Sequence, residues 1–373
     1  MTVIFAGGGT GGHLYPAIAI ADALRDRSVN VAFIGTADRL EATIVPKAGY
    51  PLLTIASRPM PRGLSLGFAR TIASNLRGTL QSLRLLAAHE PDLLIATGGY
   101  VSFPVALAAR IRRLTRRSHF PVILLEPNAA PGLTNRLLAP IVDEIWGAEP
   151  GSDSRFAAKY EATGIPIRAS LRRLPPRDVA IARLGLDPSR RTLVAMGGSQ
   201  GARTINDALA SLTRSGGLPR GWQLLHLTGQ TEYERVTAAL REEPAPASHV
   251  TRAYLDDMAD AYAVADLLLT RAGASTLGEL RALGKPAILV PYPFAAEDHQ
   301  STNAAQLESS GAAVVLADSD LQAGGLPALL AATAGPERLA ELTERAERLK
   351  GSDPLLAILA RIDTLLARTG REQ

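Results

Sequence analysis

Residues 3–24 read VIFAGGGTGGHLYPAIAIADAL. Val3 to Ala6 form a short apolar run, as a buried strand requires. From Leu14 to Leu24 the apolar residues recur at helical spacing, with Pro16 in the first turn, where its missing N–H costs little. GGGTGGH, residues 7–13, is therefore a strand-to-helix turn that ends in His13. Glycine lets a ligand or another backbone come close. The N–H groups of a helix start can bind an anion. The turn thus holds a phosphate-like group, or it is simply packed tightly against its neighbours.

The same pattern repeats along the chain. Apolar runs at 3–6, 31–35, 51–55, 93–96, 121–125 and 144–147 alternate with helical stretches. A second set lies at 192–196, 222–227, 250–255, 267–270, 286–290 and 312–316. Such alternation predicts α/β architecture with parallel sheets covered on both faces. A second glycine-rich turn, AMGGSQGARTIND at 195–207, begins the second set. Two doubly wound domains fit this better than one eight-stranded barrel. The seam is placed in TGIPIRASLRRLPPR, 163–177, which is rich in proline and arginine. This gives domains over 1–165 and 166–352. A C-terminal helix from Asp353 carries Leu355, Leu356, Leu359, Ile362 and Leu366 on one side and is expected to pack back onto the first domain.

Composition bounds the function. The chain has 373 residues and no cysteine, which excludes disulfides and thiolate metal sites. No basic-then-apolar leader is visible, and no apolar stretch approaches the roughly 20 residues that span a bilayer. Charge is uneven. Residues 1–165 carry 17 Lys/Arg and 12 Asp/Glu, against 23 and 24 in the remainder. Lys47, Arg58, Arg62, Arg70, Arg77 and Arg84 lie between Glu41 and Glu90 with no acid among them, and ARIRRLTRR follows at 109–117. These clusters suit an anionic neighbour for the first half.

Gly7, Gly9 and Gly12 satisfy G-x-G-x-x-G, but an NAD site wants a ribose-binding acid where the second strand ends. That strand ends Phe33-Ile34-Gly35-Thr36, and Asp38 and Glu41 come late. At 195–207, Ser199 adds a hydroxyl beside bare N–H groups, and the lysine of an ATPase P-loop is absent. TRAGASTLGEL, 270–280, opens another helix. There Glu279, one turn in, can accept from ribose hydroxyls or simply pair with the helix dipole. PYPFAAEDHQSTNA, 291–304, places Gln300 and Asn303 after a strand, suited to sugar hydroxyls. Its one histidine and scattered acids make a poor metal set, and no metal is expected. ATGGYVSFP, 96–104, offers Tyr100 and Ser102. LLEPNAAPGLTNRLLA, 124–139, offers Glu126, Asn128 and Asn135. Each of the last two is also compatible with plain turn chemistry.

Together these six stretches, in register along most of the chain, resemble the MurG family of peptidoglycan glycosyltransferases. The resemblance implies a GT-B fold, two Rossmann-like domains facing a deep cleft, and no cofactor. It implies transfer of N-acetylglucosamine from UDP-N-acetylglucosamine to the 4-hydroxyl of undecaprenyl-pyrophosphoryl-N-acetylmuramoyl-pentapeptide, lipid I to lipid II. Carried over by motif, His13 is the candidate general base, with Glu126 on the acceptor side. Thr10, Gly11, Gly12, Asn128, Arg168, Ser199, Leu255, Ala274, Ser275, Thr276, Glu279 and Gln300 bind the donor. Tyr100, Ser102 and Asn135 are acceptor-side candidates. Pro127, Phe103 and His299 depart from the commonest family pattern. The resemblance further implies a peripheral position on the cytoplasmic face of the plasma membrane, with cell-wall synthesis and division proteins as partners.

The basic first half then faces an anionic membrane surface. Arg70, Arg77 and Arg84 repeat among Leu66, Phe68, Ile72, Leu76, Leu80 and Leu83, as on an amphipathic helix lying on lipid or on an ordinary solvated one. A nucleotide-sugar transferase with a soluble acceptor is the rival enzyme. Nucleic acid is set aside as a partner, because the arginines lie among leucines and aromatics are only 5% of the chain.

Overall fold

The computed structural model describes the chain except residues 10, 61–65, 116–118, 149–153, 199, 243–247, 256, 296–297, 352 and 370–373. Two compact units result: Met1–Arg168 with Ser352–Gln373, and Ala169–Gly351.

The first unit is built on β1 (Thr2–Ala6), β2 (Asn30–Gly35), β3 (Leu52–Thr54), β4 (Leu93–Ala96), β5 (Val122–Glu126), β6 (Glu144–Gly147) and β7 (Tyr160–Ala162). All pair in parallel, in the order β3-β2-β1-β4-β5-β6-β7. The period of two along each strand sends alternate side chains to opposite faces. Val3, Phe5, Leu93, Ile95, Ile123 and Leu125 fill one core. Ile4, Ala6, Leu94, Ala96, Val122 and Leu124 fill the other. In the central strands both faces must be dry, so β1, β4 and β5 read as continuous apolar runs.

The helix Pro354–Thr369 closes the first of these cores with Leu355, Ile358, Leu359, Ile362 and Leu365. Leu356 faces out, 59% exposed, so the buried stripe is rotated from the one its leucines suggest. Arg361 fastens this helix to the sheet. Its Nε and Nη2 donate to Glu144 at 2.8 and 2.6 Å, and Nη2 also donates to Glu161 at 2.7 Å. The Trp146 indole N–H donates to the same Glu144 at 2.9 Å.

The second unit holds β8 (Arg191–Met196), β9 (Trp222–Leu227), β10 (His249–Arg252), β11 (Leu267–Thr270), β12 (Ala287–Leu289) and β13 (Ala313–Val315). Their order is β10-β9-β8-β11-β12-β13, again all parallel. In each unit the chain reverses its direction of winding at one place, between β1 and β4 and between β8 and β11. Outside the carboxyl ends of such strands lies the crevice where open α/β sheets bind ligands. The open sheets exclude the barrel. Among the described residues, β7 is the strand that the apolar pattern does not show: Tyr-Glu-Ala is three residues long, polar and at the sheet edge.

Candidate active site

In the first unit, the turn after β1 leads into the helix Gly11–Arg25, so Gly11, Gly12 and His13 form its first turn. Thr10 lies outside the described residues. The His13 ring rests on the backbone after β4. A Cβ on Gly98 would meet His13 Cε1 at 2.9 Å and Nδ1 at 3.0 Å, and would also meet Asn135 Nδ2 at 2.9 Å. With φ of 90°, Gly98 is in a conformation that side chains resist. The histidine and the asparagine therefore converge on a glycine that leaves them room.

Glu126, at the end of β5, is 3% exposed. Its Oε1 accepts from the Asn128 N–H at 2.8 Å and from Asn128 Nδ2 at 3.2 Å, and its Oε2 accepts from Asn135 Nδ2 at 2.6 Å. The carboxylate thus fixes both asparagines and sends neither oxygen outward unshared. Tyr100 is half-buried, with its ring over Gly9, and burial raises its phenol above the ordinary range. Ser102 is wholly buried. Its hydroxyl lies 2.7 Å from the Ala6 carbonyl and 2.8 Å from that of Gly98, tying the ends of β1 and β4 together with no surface for a ligand. The Arg168 guanidinium lies 5.0 Å over the Tyr15 ring in the first turn of the glycine-loop helix.

In the second unit, Ser199 lies outside the described residues. Ala274, Ser275 and Thr276 form the first turn of the helix Ala274–Leu283, capped by Gly273, and all three are half-buried. Glu279 is 8% exposed and accepts a 2.6 Å hydrogen bond from the Tyr262 hydroxyl, which orients its carboxylate. Tyr262 was not found from sequence; a lone tyrosine in ADAYAV carries no signal. Leu255 is half-buried in the loop after β10. Gln300, in the first turn of His299–Ser309, accepts from the Tyr292 N–H through Oε1 at 2.9 Å. That bond turns its amide N–H groups away from Tyr292. Asn303 is buried and donates to the Ala272 carbonyl at 3.3 Å, bracing the turn after β11.

Arg271 braces the same turn. It pairs with Asp318 at 2.6 Å and donates to Thr204 Oγ1 at 2.8 Å and to the carbonyls of Val290 and Pro291, each at 3.2 Å. Burial opposes the Asp318 charge, but hydrogen bonds from Thr204, Arg271 and Gln322 outweigh it and hold the carboxyl below its ordinary range. Each sheet thus carries a separate set: an imidazole beside fixed amides on the first, and the helix start Ala274–Thr276 with one oriented carboxylate on the second.

Comparisons with known proteins bear on both sets. The family model for the glycosyltransferase family 28 N-terminal domain matches residues 3–146. That for the family 28 C-terminal domain matches residues 192–353. A protein of Halothermothrix orenii, named UDP-N-acetylglucosamine–N-acetylmuramyl-(pentapeptide) pyrophosphoryl-undecaprenol N-acetylglucosamine transferase, is 41% identical over 338 residues, covering 88% of this chain and 89% of the relative. A protein of the same name from Geobacter sulfurreducens is 39% identical over 381 residues and covers 100% of both chains. The crystal structure of MurG from Acinetobacter baumannii superposes with a TM-score of 0.75 at 26% identity, covering 97% of this chain and 99% of that one. The calicheamicin glycosyltransferase CalG4, at 15% identity and a TM-score of 0.69, shares the fold.

Proposed function

The chain belongs to glycosyltransferase family 28, as a member of the MurG family, and from that premise we propose how its residues carry the reaction. It transfers N-acetylglucosamine from UDP-N-acetylglucosamine to the 4-hydroxyl of undecaprenyl-pyrophosphoryl-N-acetylmuramoyl-pentapeptide, converting lipid I to lipid II in peptidoglycan synthesis. The observation that carries this reading is identity of 36–41% to curated transferases of that name over nearly the whole chain.

The donor is assigned to the second unit. Ala274, Ser275 and Thr276 supply N–H groups and hydroxyls to the diphosphate, together with Ser199. The Glu279 carboxylate accepts from the ribose hydroxyls, oriented by Tyr262. The Leu255 backbone reads the uracil. Gln300 donates to the sugar hydroxyls. From the first unit, Thr10, Gly11 and Gly12 meet the diphosphate and sugar, Asn128 meets the sugar, and Arg168 binds the donor. The acceptor belongs to the first unit, near His13, Tyr100 and Asn135. Glu126 acts there by holding Asn128 and Asn135 in place.

Inverting transfer is a single attack on the anomeric carbon, opposite the departing UDP. His13 takes the proton of the acceptor hydroxyl. The N–H groups at the helix starts stabilise the charge that develops on the diphosphate. This assignment gives the leaving group's charge to the polypeptide, so turnover is expected to persist in EDTA.

The acceptor lipid places the enzyme at the cytoplasmic face of the plasma membrane, alongside cell-wall synthesis and division proteins. No helix among the described residues is long and apolar enough to cross a membrane. Support for a peripheral surface comes from the helix Leu66–His89. Ile72, Leu76 and Leu80, one turn apart, are 38%, 59% and 61% exposed, among exposed Arg70, Arg77 and Arg84. A row of bare apolar side chains flanked by cations suits an anionic lipid surface.

The test is UDP release measured with the lipid-linked muramoyl-pentapeptide and with a soluble sugar in its place. Release that depends on the lipid-linked acceptor supports the reading. Release that the soluble sugar alone supports would favour a transferase of different acceptor class.

A further inference from the structure

Arg168, assigned above to the donor, rests on a residue with no role in the reaction just described. Tyr15 lies one turn into the helix Gly11–Arg25. Side chains of a helix lean toward its N-terminus, so a residue covers the one four positions before it. The Tyr15 ring accordingly lies on Gly11: a Cβ there would meet Tyr15 Cε2 at 2.9 Å and Cδ2 at 3.2 Å. Gly11 is helical, so it is the ring, and not an unusual backbone angle, that calls for glycine at this position. The turn before it is held as well, since Glu41, 0% exposed, accepts the Gly9 N–H through Oε2 at 2.9 Å.

The central carbon of the Arg168 guanidinium lies 5.0 Å from the centroid of the same ring. The segment that presents it is anchored. Ile165 packs in the core closed by the helix Pro354–Thr369, and Ile167 is buried. Arg168 is the last residue of the first unit, and Tyr15 belongs to that unit as well. An aromatic ring attracts a cation to its face through its quadrupole. A carboxylate in the ring's place would cancel the charge it held, whereas a ring carries no net charge. The contact therefore fixes where the positive charge stands, beside the helix start, without opposing its attraction for an anion.

We propose that Tyr15 is a positioning residue for donor binding: its ring holds the Arg168 cation beside the start of the glycine-loop helix, where it meets the diphosphate of the nucleotide-sugar. The inference rests on the reading that Arg168 binds the donor. It gives Tyr15 a role exerted through Arg168 rather than on the substrate. It also accounts for the bare Gly11, since a methyl group there would displace the ring and the cation with it.

The test uses the full chain and two readouts: the Kd of UDP-N-acetylglucosamine by calorimetry, and steady-state kinetics with the lipid-linked muramoyl-pentapeptide. Tyr15→Leu keeps an apolar side chain beneath Arg168 and removes the aromatic face. It is expected to raise the donor Kd, and to lower kcat/KM for the donor, by about three- to tenfold, with the acceptor KM within about twofold of wild type. Tyr15→Phe keeps the ring and should retain most of the wild-type affinity. In an Arg168→Ala background, Tyr15→Leu should cost nothing further, because both changes remove one interaction. A general loss of active protein would act equally in both backgrounds and on both substrates. Unchanged donor affinity in Tyr15→Leu, a loss in Tyr15→Phe as large as in Tyr15→Leu, additive losses in the double variant, or equal losses for donor and acceptor overturn the proposal. If Tyr15→Leu does not fold, Tyr15→Met takes its place with the same expectations. Wild-type chain that binds the donor but transfers nothing would overturn the transferase reading and leave the donor affinities to decide the inference. Wild-type chain that does not bind the donor would overturn both.

Discussion

At the residue scale, the chemistry proposed for the first unit depends on His13 and on Gly98, the glycine that admits its ring. Replacing His13 with Ala removes the proposed base and is expected to lower kcat by 10² to 10⁴ while the donor KM changes little. A comparable fall in donor affinity would instead assign His13 to binding. Gly98→Ala should reproduce part of that loss, because the added Cβ would meet the His13 ring at 2.9 Å from a backbone at φ of 90°. In the second unit, Tyr262→Phe removes the 2.6 Å bond that orients the Glu279 carboxylate. It should raise the donor KM several-fold, the worth of about 1 kcal/mol, and leave kcat for saturating donor nearly unchanged. The glycine turns, His13 and Glu279 are legible in the sequence because local spacing carries them. Glu41, Tyr262 and Arg271 are not, because each acts through a partner distant in the chain. Gly9 and Glu41 are 32 positions apart, and Arg271 and Asp318 are 47 apart.

Among the elements, β9 and β10 carry a buried pair of histidines joined by hydrogen bonds to each other and to their neighbours. Asn206 Nδ2 donates to the Thr228 carbonyl at 3.0 Å, so Asn206 Oδ1 faces His226 Nε2 at 2.9 Å as an acceptor. His226 Nε2 must carry a proton, which leaves its Nδ1 to accept from His249 Nε2 at 3.3 Å. His249 Nδ1 lies 2.9 Å from the Thr213 hydroxyl, which also lies 2.9 Å from the Leu209 carbonyl. Burial disfavours a charge on either ring, and a charge on both would set two cations side by side. Burial pushes His226 down to about 3, with the nearby His249 adding to it, and burial pushes His249 down to about 4.

The unfolded chain therefore binds more protons than the folded one below the ordinary value of 6.5. The stabilisation is complete above pH 6.5 and is lost as pH falls, by up to roughly 1.4 kcal/mol per pH unit for each ring. Trp222 lies in β9 and Trp146 in β6, so Trp146→Phe leaves Trp222 as the sole reporter of the second unit. Its urea midpoint should drop between pH 7 and pH 5, and by less when His249→Gln is added. A midpoint equally pH-dependent in both would assign the effect to other groups. The apolar periods reveal twelve of the described strands because each lies in or beside an apolar run of sequence. They miss Tyr160–Ala162, whose place at the edge depends on Gly147 and its neighbours rather than on its own residues.

At the scale of the whole molecule, the proposed function assigns one substrate to each of two sheets of the same design, and the exposed row on Leu66–His89 is the surface proposed for the membrane. Replacing Leu76 and Leu80 with Ser should weaken binding to anionic vesicles tenfold or more, since each leucine contributes on the order of 2 kcal/mol when fully buried. Vesicle binding unaltered by the pair would place the membrane surface elsewhere. The central claim is the transfer itself. The most direct measurement follows label from UDP-N-acetylglucosamine into the lipid-linked muramoyl-pentapeptide and identifies the sugar formed. The account predicts one N-acetylglucosamine on the 4-hydroxyl of the muramoyl residue, in inverted configuration, for each UDP released. UDP released without label in the lipid, or label joined to a different hydroxyl, would contradict it.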